Sequence, residues 1–569
     1  MSSKHNTVVV GFDALDFRYL DEFESSLPEF ERLRNEGVEA PLESTFPPWT
    51  GSAWPSMYTG TDPSHHGTYG FFHSTAGYPD EDELVTRNRV RQPALWNYLT
   101  ALDEPAVVLN VPVTHPAEPV AGVLVPGYLA HEEDAGYPEG IRSELSEAID
   151  GEYRIYADAE TSDDHDRKRE SYLDLIRMRG EAAEYVLAEY DWRVAVVQVQ
   201  KTDTVFHNFD DRETFRRAYE RADEVLGRVR EAAGDANVVV CSDHGMGEVD
   251  GYTVYLNEIL RDAGFVEATA DSSGPSLMTE KATLTGAADG ASGGDGAAGA
   301  SADGGPSVTG QVVSAATTAL GTVGVTPGDA YSLATRLGVG DLLTDVLPYE
   351  AVSAASEGVD WANSKAYTRS VELGVRVNLA GREPSGVVTP EEYEGVRDDL
   401  IDLLSTLRTP DGDPVFEWVR RREEVYDGPY TEQACDVLFM PADMNHTLST
   451  NLIGQRFVPT ETHDHQRDGV FLADGPAFAD DAGFEAPDAD PALDADGARP
   501  GALSLTDVAP IAMAAAGLDV PARMTGEVPE DLLADSVSRR DYGDVPFGTD
   551  RAAGDDGSVE RRLEDLGYL

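Results

Sequence analysis

Short β-branched runs that stop abruptly on an ionisable side chain recur along this chain, and they restrict its fold more than any other feature. Thr7-Val-Val-Val-Gly-Phe12 ends on Asp13, and Val194-Ala-Val-Val-Gln-Val199 runs into Lys201-Thr-Asp203-Thr-Val-Phe-His207. Val238-Val-Val240, followed by Cys241, ends in Ser242-Asp243-His244-Gly245. Runs this apolar suit strands buried on both faces, and so a parallel sheet covered by helices. Helical periodicity fills the intervals, over Leu27–Gly37 with Pro28 near its start and Gly37 at its stop, over Arg177–Glu189 and over Thr214–Ala232. The predicted class is α/β. In such sheets ligands gather in the crevice beyond the carboxyl ends of the strands, where these carboxylates and imidazoles are delivered. One isolated Asp-His pair is most simply a solvated turn. Its recurrence at several strand ends argues for a metal site instead.

The chain has 569 residues, 43 basic and 105 acidic, with a formal net charge of −62. Only five of the basic residues are lysines, and the acidic residues are spread over every segment. An even acidic coat of this kind suits concentrated salt, where screening shortens its self-repulsion, and points to a halophilic protein. It excludes nucleic-acid binding through a basic patch. Cys241 and Cys435 are too few for a disulfide framework and read as small core residues of a reducing compartment. The first strand begins at about Thr7, which leaves no room for a signal peptide, and no apolar run reaches the roughly 18 residues of a membrane span. The expected location is cytoplasmic.

Other segments supply complementary groups. In Ser44-Thr-Phe-Pro-Pro-Trp-Thr50-Gly-Ser-Ala-Trp the two prolines delay a helix until about Thr50. Thr50 alone would be read as an N-cap, yet its hydroxyl also sits where a helix N-terminus favours phosphate. Asp16 serves a turn or a cap. His65 and His66, in the turn Asp62–Gly67, either line the site or lie exposed. Asp203 and His207, four apart at the start of a helix, project from one face as two ligands of one ion must. Thr462-His463-Asp464-His465 precedes a strand at Val470–Ala473, and one of its histidines is the natural last ligand. The expected organisation is an N-terminal part of the catalytic core over 1–265 and a disordered Gly/Ala/Asp-rich insertion over 266–310. A helical cap over 311–359, the remainder of the core over 360–529 and a loosely held acidic tail over 530–569 follow.

Asp13, Thr50, Asp203, His207, Asp243, His244 and one of His463 or His465 are too many donors for one tetrahedral ion and suit two neighbouring ions. The carboxylate and imidazole mixture favours zinc, then manganese. Two ions about 3.5–4 Å apart stabilise the attacking and leaving oxygens of phosphoryl transfer. Thr50, the one hydroxyl, is then the nucleophile, and a phosphothreonine intermediate follows.

Phe12-Asp13, Pro48-Trp-Thr50 with Thr59-Gly60, His66-Gly67, Thr202-Asp203 with His207, Ser242-Asp-His-Gly-Met246 and His465 with Gly469 occur in one order and spacing. Together they resemble the alkaline phosphatase superfamily, and within it the type I phosphodiesterase/nucleotide pyrophosphatase branch. The resemblance covers about 7–265 and 360–527. It implies a three-layer α/β sandwich with a mixed, mostly parallel central sheet and inserted cap elements. It also implies one ion on Asp203, His207 and His465, and another on Asp13, Thr50, Asp243 and His244. His465 is preferred to His463 because the family's histidine precedes a glycine by four. The implied activity is metal-dependent hydrolysis of small phosphorylated substrates, phosphodiesters or nucleotide pyrophosphates first. A phosphomonoesterase or phosphomutase is the alternative, because no asparagine lies between Thr50 and Asn88. A catalytically silent, metal-stabilised binding module is the rival from another class.

Overall fold

A computed structural model describes residues 5–73, 78–79, 83–160, 162–269, 358–369, 372–478 and 502–549. The three strands singled out above lie side by side. Strands β1 (Thr7–Phe12), β2 (Val38–Glu43), β3 (Ala106–Val111), β4 (Gly122–Pro126), β5 (Val194–Val199), β6 (Asn237–Ser242), β7 (Gly245–Val249), β8 (Thr462–Gln466), β9 (Asp468–Asp474) and β10 (Leu503–Ser504) account for the core's pairing. All but β7 and β8 form one eight-stranded sheet in the order β10-β2-β9-β6-β1-β5-β3-β4. Only β9 runs against its neighbours. The sheet is therefore mixed and mostly parallel, as expected.

Alternation along the strands shows that both faces are covered. Val9, Val108, Val196 and Val239 face a layer containing helix α2 (Thr50–Thr59) and helix α6 (Val508–Ala515). Val8, Val10, Phe12, Val107, Val197 and Val240 face helices α1 (Pro28–Glu36), α3 (His165–Glu189) and α5 (Arg212–Ala233). This is a three-layer sandwich. The helix expected from Arg177 starts twelve residues earlier, at His165, where Asp164 caps it by accepting from Arg167 N.

A smaller antiparallel sheet, formed by Ala366–Thr368, Gly374–Val377, Val437–Pro441 and Phe416–Arg421, carries the helix Tyr393–Ser405. Its apolar core also takes in Phe46 and Trp49, from the segment leading to Thr50. The insertion expected over 266–310 and the cap over 311–359 lie outside the described residues, apart from their flanks. There Ala268–Thr269 pairs antiparallel with Gly358–Val359. Part of the expected acidic tail packs on the core. Over 530–549, Leu532, Leu533 and Val545 are buried in the core, and Arg539–Arg540 pairs in parallel with Val520–Pro521. A few apolar side chains anchor this stretch despite its acidic composition. Residues 550–569 lie outside the described residues.

Helix α2 is fastened to the sheet through Trp54, whose ring lies against Gly11 of β1. A Cβ on Gly11 would fall 2.3 Å from the Trp54 ring, so only glycine permits this approach. Trp54 is completely buried. Trp54→Ala should therefore cost about 3–5 kcal/mol of stability by opening a cavity. Gly11→Ala should cost about 1–3 kcal/mol by overpacking. Both should unfold at lower urea concentration than the parent. An unmoved transition in both would show that this contact does not fasten the helix.

Candidate active site

Register brings the site together. Phe12 of β1 lies opposite Val199 of β5 on one side and Ser242 of β6 on the other. Three parallel neighbours thus end at the same level, and the next residues of each open into one crevice. Asp13 follows β1 directly, and Asp243 and His244 follow β6. After β5 the chain turns at once into helix α4 (Lys201–Asn208), whose first turns carry Asp203 and His207. Thr50 enters from another direction, as the first residue of α2. Trp49 rather than Thr50 occupies the N-cap position, and it makes no side-chain capping bond. The Thr50 hydroxyl is therefore not consumed by its own helix.

Thr50 Oγ1 lies 3.4 Å from Asp13 Oδ1 and 3.4 Å from His244 Nε2. His244 Nε2 is 3.6 Å from Asp13 Oδ1 and 3.4 Å from Asp243 Oδ2. His207 Nε2 is 3.2 Å from Asp203 Oδ1. Donor atoms of Asp203, His207 and His465 all lie within 4.8 Å of one another, as do those of Asp13, Asp203 and His244. Asp13, Thr50, Asp203, Asp243 and His244 are fully buried, and His465 nearly so.

The electrostatics of this cluster are strained. Burial, together with the charges of Asp243 and Asp203, holds the Asp13 carboxyl well above the usual carboxylate range. Burial likewise raises Asp243. Burial would also raise Asp203, but the imidazoles of His207, His465 and His244 outweigh it and hold that carboxyl low. Burial and the neighbouring His244 push the His465 imidazole down to about 4. Burial opposes protonation of His207, and the Asp203 carboxylate overcomes it, so His207 is raised. Among the described residues, neither Asp13 nor Asp243 lies within ion-pair distance of a lysine or arginine. Asp243 Oδ1 accepts from Ala14 N at 3.2 Å, while its buried Oδ2 receives no hydrogen bond. Buried carboxylates with no cationic side chain beside them, mixed with imidazoles, are a donor set that fits divalent metal ions.

The sequence-derived residues therefore converge, with some differences in placement. The two histidines expected ahead of a strand are themselves within one: β8 pairs antiparallel with β7, with His465 opposite Met246. His465 faces the rings of His244 and His207 at centroid distances of 4.2 and 5.2 Å. His463 packs instead on Phe215 and Phe206. Asp464 accepts from His465 Nδ1 at 2.8 Å, which turns Nε2 toward the cluster. Gly469 is explained by contact, since a Cβ there would lie 2.1 Å from Ser242 Oγ. Asp16 caps the helix Phe17–Glu22 and also accepts from Met246 N. His66 is buried and bonds Ser56 of α2, and His65 pairs with Asp62, so neither joins the cluster. Gln198 was missed. Its Nε2 donates to Asp13 Oδ2 at 3.0 Å, from inside a strand where only an unexplained polar residue marked it.

Solved structures and a family model resemble this chain. Phosphonoacetate hydrolase from Sinorhizobium meliloti 1021, in complex with phosphonoformate, has a TM-score of 0.53 at 14% identity, covering 90% of this chain and 96% of that one. Human ectonucleotide pyrophosphatase / phosphodiesterase 5 has a TM-score of 0.48 at 12% identity, covering 93% of this chain and 100% of that one. Its murine counterpart has a TM-score of 0.48 at 11% identity with the same coverage. No curated protein matches the chain. The first of these likenesses shows the fold. The family model described as type I phosphodiesterase / nucleotide pyrophosphatase matches residues 7–295, a little over half of the sequence. The chain thus belongs to the type I phosphodiesterase / nucleotide pyrophosphatase family of the alkaline phosphatase superfamily, metal-dependent hydrolases of phosphoric esters.

Proposed function

We propose that this enzyme cleaves small phosphodiesters or nucleotide pyrophosphates through a phosphothreonine formed on Thr50, at a site for two divalent cations. The observation that carries the reading is the Thr50 hydroxyl, fully buried and 3.4 Å from both Asp13 Oδ1 and His244 Nε2. A purely structural metal site has no use for an alcohol among its carboxylates. Asp203, His207 and His465 would hold one cation, and Asp13, Thr50, Asp243 and His244 the other, with Asp203 close enough to serve both. The nitrogen and oxygen donors suit zinc first and manganese second. Bound cations would supply Lewis-acid stabilisation of phosphoryl charge and lower the pKa of an attacking hydroxyl or water.

The chain's own groups do the rest. Thr50 Oγ1 forms the new bond to phosphorus as the bond to the leaving oxygen breaks, and Asp13 Oδ1 is the carboxylate facing the hydroxyl proton. The positive end of α2, at whose first turn Thr50 sits, favours the phosphoryl anion. Water then attacks phosphorus, restores the Thr50 hydroxyl and releases a phosphate monoester. The Trp49 ring meets His465 edge-on at 4.7 Å and packs that imidazole in place.

Thr50→Ala should reduce turnover of bis-p-nitrophenyl phosphate at least about a thousandfold, whereas Thr50→Ser should retain a measurable fraction. Thr50→Ala should still bind metal through the remaining carboxylates and imidazoles. Faster turnover of p-nitrophenyl phosphate than of the diester would favour the monoesterase alternative. Turnover of neither ester, in high salt with added zinc or manganese, would leave only the binding module.

Removing metal should destabilise the protein more as pH rises from 6.5 to 8.5. Over that interval Asp203, held below 3.8, and His465, held at about 4, have stopped titrating. Asp13, Asp243 and His207 have raised folded values, so the stability they contribute is complete below their unfolded values, and of the three His207 starts from the 6.5 at which this interval opens. It is lost as pH climbs through the folded ones. The metal-free melting temperature should fall across this range while the increment from added zinc grows, because protons cease to compete for the donors. A flat metal-free profile with a constant zinc increment would contradict the proposed ligand set.

A further inference from the structure

Asn110 interrupts the regular end of β3. Its backbone is left-handed, with φ at 61°, and the pairing of β3 with β4 shifts register between Leu109 and Val111 around it. A break of this kind turns a side chain that would otherwise follow the pleat. Asn110 Nδ2 donates to Gln198 O at 3.1 Å and to Gln198 Oε1 at 2.9 Å. Gln198 Nε2 in turn donates to Asp13 Oδ2 at 3.0 Å. All three side chains are buried, Asn110 being 2% exposed and the other two not at all.

The direction of this relay is set at both ends. A backbone carbonyl and a carboxylate each only accept, so Asn110 must present its amide nitrogen to the first and Gln198 its own to the second. The relay occupies Oδ2 of Asp13 and leaves Oδ1 turned to Thr50 and His244, 3.4 and 3.6 Å away. It does so without charge. An arginine or lysine in the place of Gln198 would pair with Asp13 and compete with a cation for it, whereas an amide orients the carboxylate and leaves its charge available.

The geometry points to Gln198 and Asn110 as a positioning pair that presents Asp13 to a divalent cation, with Asn110 acting through Gln198. This rests on the proposed role of Asp13 as a metal ligand. The strained backbone at Asn110 then has a purpose, since it directs the amide along the sheet edge toward β5.

The test uses the full chain and its Gln198→Leu and Asn110→Gly variants. Glycine relieves the left-handed backbone, so the second variant keeps the fold even if the first does not. Zinc affinity is measured by competition with a chromogenic chelator, and kcat and KM for bis-p-nitrophenyl phosphate are measured at saturating zinc. Gln198→Leu should bind zinc about 10–100-fold more weakly, with Asn110→Gly displaced in the same direction by a smaller factor. At saturating zinc the remaining defect should lie in kcat, with KM within about twofold of the parent. Zinc affinities within about twofold of the parent in both variants would overturn the positioning role while leaving the active-site reading intact. A parent chain that binds no zinc or manganese at all would overturn both together.

Discussion

The fold depends on forcing like charges together. Asp13, Asp203 and Asp243 occupy one buried pocket because three adjacent parallel strands end in register, and nothing in apolar packing favours that meeting. Desolvating a carboxylate costs several kcal/mol unless a partner offsets it. A large three-layer sandwich, buried on both faces of its central sheet, can carry such a cost. It can also hold the backbone that carries these carboxylates, through bonds from Thr202 Oγ1 to the Asp13 carbonyl at 2.6 Å and from Ser44 Oγ to the Asp243 carbonyl at 2.5 Å.

The contrast with Asp436 shows that the crowding is specific to the site. Asp436 is equally buried, in the smaller sheet, and it accepts from Arg382 at 2.7 Å, Arg422 at 2.8 Å and Tyr393 at 2.6 Å. Burial would raise it, and the Arg382 and Arg422 guanidiniums win, holding it down to about 2. The same chain therefore neutralises a buried carboxylate with arginine where structure is the only demand. Around Asp13 and Asp243 it supplies backbone and amide donors instead, a donor set that leaves room for a bound cation. The region of the smaller sheet also reaches the segment leading to Thr50: Tyr426 Oη donates to Phe46 O at 2.6 Å, and Trp418 packs on the Phe46 ring at 5.1 Å.

Much of this was legible from residue order. Apolar runs ending on Asp13, Asp243 and the Lys201–His207 segment announce both the parallel sheet and the crevice, because burial on both faces and strand-end chemistry leave local signatures. The spacing to Gly469 distinguishes His465 from His463, and the contact with Ser242 explains that glycine. What stayed hidden was long-range. The β8 strand is polar and pairs with β7 more than two hundred residues away, so neither period nor composition marks it. Gln198 looks like a blemish in an apolar strand until Asp13 and Asn110 are seen on either side of it. The anchoring of 530–549 rests on Leu532, Leu533 and Val545, which an acidic average conceals.

Asp203 has a further consequence, because its carboxylate belongs to both groups of donor atoms. Two guests that share one host group do not arrive independently. At the proposed two-cation site, whichever cation landed first would draw the shared oxygens toward itself and change the welcome offered to the second, so loading would be linked rather than additive. Half-filled enzyme would then be a species with its own donor arrangement, not an average of empty and full.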